Sequence, residues 1–231
     1  MKDTMKVQAV VPAAGIGERF GPDTAKPFAL LKGIPLIVYA LKKLQESPEI
    51  PSIVIAGRKD RISDLEALCR EHHLTKVSQI VAGGRTRRES VSKALDVLDK
   101  DTDCVLIHDA ARPLLTGKMI REGIELCGKH KAVIVAVPVI PTIKYVDSGL
   151  TVVETPDRGR LWEAQTPQIF DKALIISAHK EVEDLQASDD AVLVERLGHA
   201  VKVLEGDYRN IKVTTPDDLK VAETFLETQE G

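Results

Sequence analysis

The stretch Val10-Val11-Pro12-Ala13-Ala14-Gly15-Ile16-Gly17-Glu18-Arg19-Phe20 decides the fold, because an apolar run opens at Pro12 into a turn made of small residues. The run Val7–Val11 reads as a strand buried on both faces. In an open α/β sheet, ligands bind just beyond the carboxyl end of such a first strand. Small residues let backbone N–H groups reach phosphate oxygens where a Cβ would intervene. Three loop types compete for this pattern. The Walker loop is excluded, since no Gly-Lys-Ser/Thr follows at the required spacing. The dinucleotide fingerprint is half matched: Phe20 stands at its third glycine, and the second strand runs into Ala56-Gly57-Arg58 rather than an acidic residue. The third type carries its own cation, here Arg19 with Lys26 seven residues on. Two fixed positive charges beside a backbone nest suit a triphosphate better than a pyrophosphate diester.

Outward from this loop, strand-like runs alternate with helical patterns. Val7–Val11, Ser52–Ala56, Lys76–Val81, Cys104–His108 and Val133–Val137 read as strands. Leu36–Gln45, Ile62–His72, Arg87–Leu98 and Lys118–Lys129 show apolar residues at helical spacing. This alternation predicts an α/β fold with a Rossmann-like, mostly parallel sheet flanked by helices. Pro138 and Pro141 break the rhythm. Ile143–Asp147 and Thr151–Thr155 around Ser148-Gly149-Leu150 then read as a protruding β-hairpin arm at about 139–160. Helices are expected over Lys172–Val182 and Asp189–Leu197, the latter capped by Ser188. Strands are expected at Val201–Leu204 and Ile211–Val213, and a closing helix at Pro216–Leu226 behind Thr214 or Thr215. No repeat or linker appears, so residues 1–231 read as one domain with an arm.

Composition narrows the function. The 231 residues include 32 Lys and Arg against 35 Asp and Glu, a net charge of −3. That balance argues against a nucleic-acid-binding surface and leaves room for a local cationic cluster. Cys69, Cys104 and Cys127 lack metal or disulfide spacing and read as inert thiols of a reducing compartment. Met1-Lys2-Asp3-Thr4-Met5 has no signal-peptide core, and no segment approaches a membrane span. The protein reads as cytoplasmic.

Further motifs follow in order: Gly83-Gly84 with Ser90, His108-Asp109-Ala110-Ala111-Arg112-Pro113, Thr142, Arg158, Trp162, Thr166-Pro167-Gln168, Ser188-Asp189-Asp190-Ala191 and Asn210-Ile211-Lys212-Val213-Thr214. With Pro12 to Arg19 and Lys26, this ordered set resembles the 2-C-methyl-D-erythritol 4-phosphate cytidylyltransferases across nearly the whole chain. The resemblance implies a nucleotidyltransferase fold and a Mg²⁺-dependent reaction that joins CTP to 2-C-methyl-D-erythritol 4-phosphate and releases pyrophosphate. It implies that Arg19, Lys26, Arg158 and Lys212 are catalytic. Ala13, Ala14, Gly15, Gly17, Gly84, Ser90, Asp109 and Ala110 would contact CTP. Asp109, Arg112, Thr142, Arg158, Thr166, Ser188 and Lys212 would bind the polyol phosphate. It places Asp109 near the metal region, with the ion held mainly through the CTP phosphates. It also implies a homodimer whose arms cross into the partner's site.

Two positions depart from the family pattern: Pro27 follows Lys26 where the family commonly has Gln, and Arg85 stands where an acidic residue often follows the second glycine. The nearest rival substrate is ribitol 5-phosphate, whose transferases tend to read Asp-Ala-Val-Arg at 109–112. A dinucleotide-dependent oxidoreductase is the rival from another class. Several residues carry plain alternatives. Asp109 could pair with Arg112, His108 could be a packed strand residue, and Trp162 could pack the arm. Asp189-Asp190 suit a helix start as well as a metal. The Arg85-Arg87-Arg88 cluster reads either as a solvated helix face or as an anion attractor.

Overall fold

The protein is described here by a computed structural model over residues 5–15, 26–182 and 187–228. In chain order it forms β1 (Val7–Ala13), a short hairpin of β2 (Leu30–Leu31) and β3 (Ile34–Pro35), α1 (Leu36–Glu46), β4 (Ser52–Gly57), α2 (Ile62–Glu71), β5 (Val77–Ala82), α3 (Arg87–Leu95), β6 (Cys104–Ile107), α4 (Gly117–His130), β7 (Ala132–Pro138), β8 (Tyr145–Val146), β9 (Val152–Glu154), β10 (Trp162–Asp171), α5 (Lys172–Glu181), α6 (Asp190–Arg196), β11 (Lys202–Glu205) and α7 (Pro216–Glu227). The main sheet runs β11-β7-β10-β6-β1-β4-β5. Strand β10 is antiparallel to both its neighbours, and the other pairings are parallel.

Alternation along the strands makes two cores. Val7, Ala9 and Val11 of β1 face one way and pack with α1, α2 and α4 through Leu41, Leu65 and Ile120. Val10 faces the other way, into a cluster with Val91 of α3, Ile175 of α5 and Leu193 of α6. A strand with helices on both faces has no solvated side, which is why β1 reads as a continuous apolar run. A third cluster joins Leu31, Leu36, Ala111, Val213 and Ala222, and so packs α7 against the short hairpin and the segment after β6. Cys104 and Cys127 are free buried thiols with their sulfurs 3.4 Å apart.

Three local expectations are corrected. The cap of α6 is Asp189, whose side chain accepts the N–H of Val192, while Ser188 is exposed. Ile211–Val213 forms no strand; Val213 N–H instead donates to the Ala111 carbonyl and seats the loop against the end of β6. Strand β10 was not anticipated, because Gln165-Thr166-Pro167-Gln168 breaks any apolar pattern and proline disfavours a central strand. The chain accommodates it by shifting register between Ala164 and Gln168. The arm forms as expected, though its paired part is short. Asp147 Oδ1 accepts the N–H groups of Gly149 and Thr151 at its tip. Thr215 caps α7 through a reciprocal box with Asp218.

The polar residues of β10 build a buried junction under the end of β6. Thr166 Oγ1 accepts the Asp109 N–H at 3.1 Å and lies 3.1 Å from His108 Nδ1. His108 Nε2 lies 3.0 Å from the Arg112 carbonyl. The network assigns the tautomer: Nε2–H donates to the carbonyl and Nδ1 accepts from the threonine hydroxyl. Arg112 donates to the carbonyls of Asn210 and Ala164, and Asn210 Nδ2 donates to Gln165 Oε1 and the Thr166 carbonyl. Burial lowers the His108 pKa to about 4, so the ring is a neutral structural bond-maker at physiological pH.

Protonation of His108 therefore lags in the folded state. Below its ordinary value of 6.5 the unfolded chain binds the proton, whereas the native ring does so only near 4. Stability falls as pH drops through that window, by up to about 3 kcal/mol from this residue. Urea unfolding midpoints at pH 7.5 and pH 4.5 should fall further apart in wild type than in His108→Gln. Equal falls in both would refute this assignment.

Candidate active site

The strand order reverses direction between β1 and β6, and a cleft of about 440 Å³ opens at their carboxyl ends. This is the switch point at which open α/β sheets bind ligands. Ala13, Ala14 and Gly15 line it from the end of β1. Gly17 and Arg19 lie outside the described residues. Lys26 and Pro27 line it from a single 3-10 turn. The departure at Pro27 falls early in that turn, where a proline's missing N–H removes no internal bond.

Gly83 and Gly84 bring the β5–α3 connection close to β1. A Cβ at Gly83 would lie 2.5 Å from the Ala14 Cβ and 2.8 Å from Ser90 Oγ, so no side chain fits there. Gly84 N–H donates to Ser90 Oγ, whose own hydrogen goes to the Thr86 carbonyl. Ser90 thus shapes the glycine turn as well as lining the cleft. Thr86 caps α3 and Glu89 accepts the Arg85 N–H, so this helix points a satisfied N-terminus into the cleft. The structure divides the arginine cluster. Arg85 is 94% exposed on the rim, Arg88 donates inward to the carbonyls of His179 and Val182, and Arg87 turns to the cleft wall.

Asp109 follows β6 at the centre of the wall. Its Oδ1 accepts from Arg87 Nε at 2.9 Å and its Oδ2 meets Lys212 Nζ at 2.6 Å. Burial by itself would raise its pKa, but the adjacent Arg87 and Lys212 charges prevail and hold the carboxyl well below the usual range. Asp190 behaves alike: burial opposes ionisation, and Arg87 and then His179 outweigh it. For Arg87, burial opposes the charge and the two carboxylates more than restore it. The alternative pairing of Asp109 with Arg112 is not adopted. Arg112 is spent on the two carbonyls behind the wall, and burial lowers its pKa.

Of the residues expected at the site, Ala13, Ala14, Gly15, Lys26, Gly84, Ser90, Asp109, Ala110 and Lys212 line the cleft. Arg112 and Thr166 sit beneath it in the buried junction, and Ser188 stands exposed at the start of α6. Thr142 and Arg158 are exposed on the arm, with Arg158 Nη1 donating to the Ile140 carbonyl. Arg87 and Asp190 carried open readings, as a solvated or anion-attracting residue and as a helix start or metal carboxylate, and their pairing was not expected. They lie 103 residues apart, and only the folded chain joins them.

The sequence profile of the family IspD, 2-C-methyl-D-erythritol 4-phosphate cytidylyltransferase, matches residues 7–228. A relative of that name from Caldanaerobacter subterraneus subsp. tengcongensis is 42% identical over 225 residues, covering 96% of this chain and 99% of the relative. Another from Bacillus cytotoxicus is 43% identical over 222 residues, with 95% and 97% covered. Among solved structures, the 4-diphosphocytidyl-2C-methyl-D-erythritol synthase of Anaerococcus prevotii superposes with a TM-score of 0.85 at 30% identity, covering 97% of this chain and all of that one. The Thermus thermophilus 2-C-methyl-D-erythritol 4-phosphate cytidylyltransferase gives 0.79 at 28% identity, over 96% and 100%. The match spans both the first strand's loop and the segment carrying Lys212, the two sides of the cleft, and the chain belongs to the 2-C-methyl-D-erythritol 4-phosphate cytidylyltransferase family.

Proposed function

We propose that the cleft between the ends of β1 and β6 is where this chain transfers a cytidylyl group from CTP to 2-C-methyl-D-erythritol 4-phosphate, releasing pyrophosphate in the non-mevalonate route to isoprenoid precursors. The observation that carries this reading is the charge pattern of the wall. Among the described lining residues, Lys26, Arg85, Arg87 and Lys212 share the cleft with one carboxylate, Asp109, which Arg87 and Lys212 contact. Such a wall favours a polyanion and a second anion brought beside it. The attacking group is the substrate's own phosphate, largely dianionic at neutral pH, so the step needs no general base. The described wall supplies none, since His108 is buried beneath it and neutral. What must be overcome is repulsion between two anions and charge building on the departing pyrophosphate, and fixed cations with in-line positioning answer both.

In this reading Lys212, on the cleft wall, takes the incoming phosphate, Lys26 holds the triphosphate and the turn Ala13–Gly15 offers backbone N–H groups. The family resemblance adds Arg19, which lies outside the described residues, to the triphosphate side. The donor set also suits Mg²⁺ carried on the phosphates. Asp109 is the one acidic side chain on the described wall, and no cluster of three metal-ligating side chains occurs among the described residues. A single hard oxygen ligand fits an ion that keeps phosphate and water oxygens around it. When bound, that ion would neutralise phosphate charge and orient the oxygens. The arm exposes Ile140, Tyr145, Val146, Leu150 and Val153, an apolar surface suited to a second subunit. A homodimer would carry Thr142 and Arg158 from one subunit toward the cleft of the other. No described helix is long and apolar enough to cross a membrane.

A panel crossing CTP, UTP, ATP and GTP with methylerythritol and ribitol phosphates should release pyrophosphate fastest with CTP and 2-C-methyl-D-erythritol 4-phosphate. Equal or faster turnover of ribitol 5-phosphate would overturn the substrate assignment. Arg19→Ala should lower kcat ~10²-fold or more, as expected for a contact that strengthens in the transition state; a change confined to KM would contradict that role. Mixing inactive Arg158→Ala and Lys26→Ala subunits should restore part of the activity if the arms complete each other's sites. Self-contained sites would restore none.

A further inference from the structure

Behind the cleft wall, Asp109 is held by a run of alternating charges that leads away from the ligand space. Arg87 spans two carboxylates, with Nε on Asp109 Oδ1 at 2.9 Å and Nη1 on Asp190 Oδ2 at 2.6 Å. Asp190 Oδ1 lies 3.0 Å from His179 Nε2, and the Asp190 N–H donates to Gln168 Oε1. The Asp190 and His179 side chains are 1% and 2% exposed, so this end of the run is sealed. On its other oxygen Asp109 meets Lys212, whose side chain is 40% exposed and sits on a loop.

The two cations on Asp109 are therefore not equivalent. Removing the counter-charge from a buried carboxylate is strongly destabilising, and Arg87 cannot leave Asp109's side without weakening its hold on Asp190. Its planar guanidinium starts α3 and is fixed by two carboxylates at once. Lys212 has a flexible stem with water beside it, and it can exchange a carboxylate oxygen for a phosphate oxygen of like charge. An ionised carboxylate only accepts hydrogen bonds. In a cleft whose other charges meet phosphates, the groups left to donate to Asp109 are sugar or polyol hydroxyls.

We propose that Arg87 is a positioning residue for the transfer reaction: anchored on Asp190, it keeps the Asp109 carboxylate set for substrate hydroxyls while Lys212 passes to the substrate phosphate. The inference rests on the cytidylyl-transfer reading and deepens it.

The decisive variant removes Arg87 together with its buried partner Asp190 and leaves Asp109 one counter-charge, Lys212. Arg87→Met combined with Asp190→Leu replaces the buried pair by apolar side chains, a change often neutral for folding. Pyrophosphate release yields kcat and both KM values, and thermal unfolding yields Tm, for wild type, this double variant, Asp190→Asn and Asp190→Glu. The double variant should unfold close to wild type yet lose ~10- to 100-fold in kcat/KM for the polyol phosphate, the scale of one charge-assisted hydrogen bond. Asp190→Asn should show a loss of that kind although residue 190 touches no ligand, and Asp190→Glu, which keeps the charge, should recover part of it. A folded double variant with kcat and both KM values within about twofold of wild type overturns the relay and leaves the reaction standing. Should the double variant fail to fold, Asp190→Asn and Asp190→Glu decide in its place, and wild-type kinetics in both overturn the relay. A wild-type protein that releases no pyrophosphate from CTP with any polyol phosphate overturns the reaction, and the relay with it.

Discussion

The ion pair between Arg87 and Asp109 joins parts of the molecule that the chain keeps far apart. Arg87 begins the helix after the glycine turn, Asp109 ends the strand at the switch point, and Asp190 begins a helix that covers the opposite face. A carboxylate whose side chain is only 9% exposed needs compensation to stay charged. Its two cations supply that compensation and fix the relative position of the β5–α3 turn and the β6 loop. The cleft's shape and its charge are thus set by the same contacts.

Strand β10 has a comparable double role. Inserted antiparallel between β6 and β7, it contributes Gln165, Thr166 and Gln168 to the polar layer beneath the wall. Its first residues follow the arm after a 3-10 turn at Arg158–Arg160. Tyr208 and Val139 tie the base of that arm back to the body through the carbonyls of Pro138 and Leu161. The floor of the cleft and the root of the arm are thus built on one strand.

Much of this was legible from residues alone. The parallel sheet and the hairpin follow from apolar periodicity and turn residues, and the cleft-lining set from Ala13 to Lys212 follows from the family resemblance of the ordered motifs. What was not legible depends on contacts across long separations. The polar run of β10 falls where the pairing with β7 shifts register and before the pairing with β6 begins, so Arg112 and Asn210 meet the carbonyls of Ala164 and Thr166 in place of a strand neighbour. Arg85, Arg87 and Arg88 look equivalent in the sequence, yet one faces water, one the cleft and one the backbone of α5. Helical spacing separates their directions, but the partners that assign their roles arrive from residues 109, 179 and 190. Ser188 and Asp189 were both capable caps, and the choice fell to the side chain whose carboxylate reaches Val192.

The third cluster, in which Val213 and Ala222 pack against Leu31, Leu36 and Ala111, has a consequence for the order in which the molecule is made. One side of the cleft is laid down by residue 15 and the other arrives with Lys212 and Thr214, held there by a helix that follows them. On the ribosome the sheet from β1 to β6 can assemble while that last segment is still being synthesised, since domains emerge from the N-terminus at roughly 5–20 residues per second. Asp109 would then spend several seconds beside Arg87 before Lys212 exists. Capture of the second, attacking phosphate by a nascent chain would thus trail the folding of the nucleotide side, and the ability to join the two substrates would mark the arrival of that last segment.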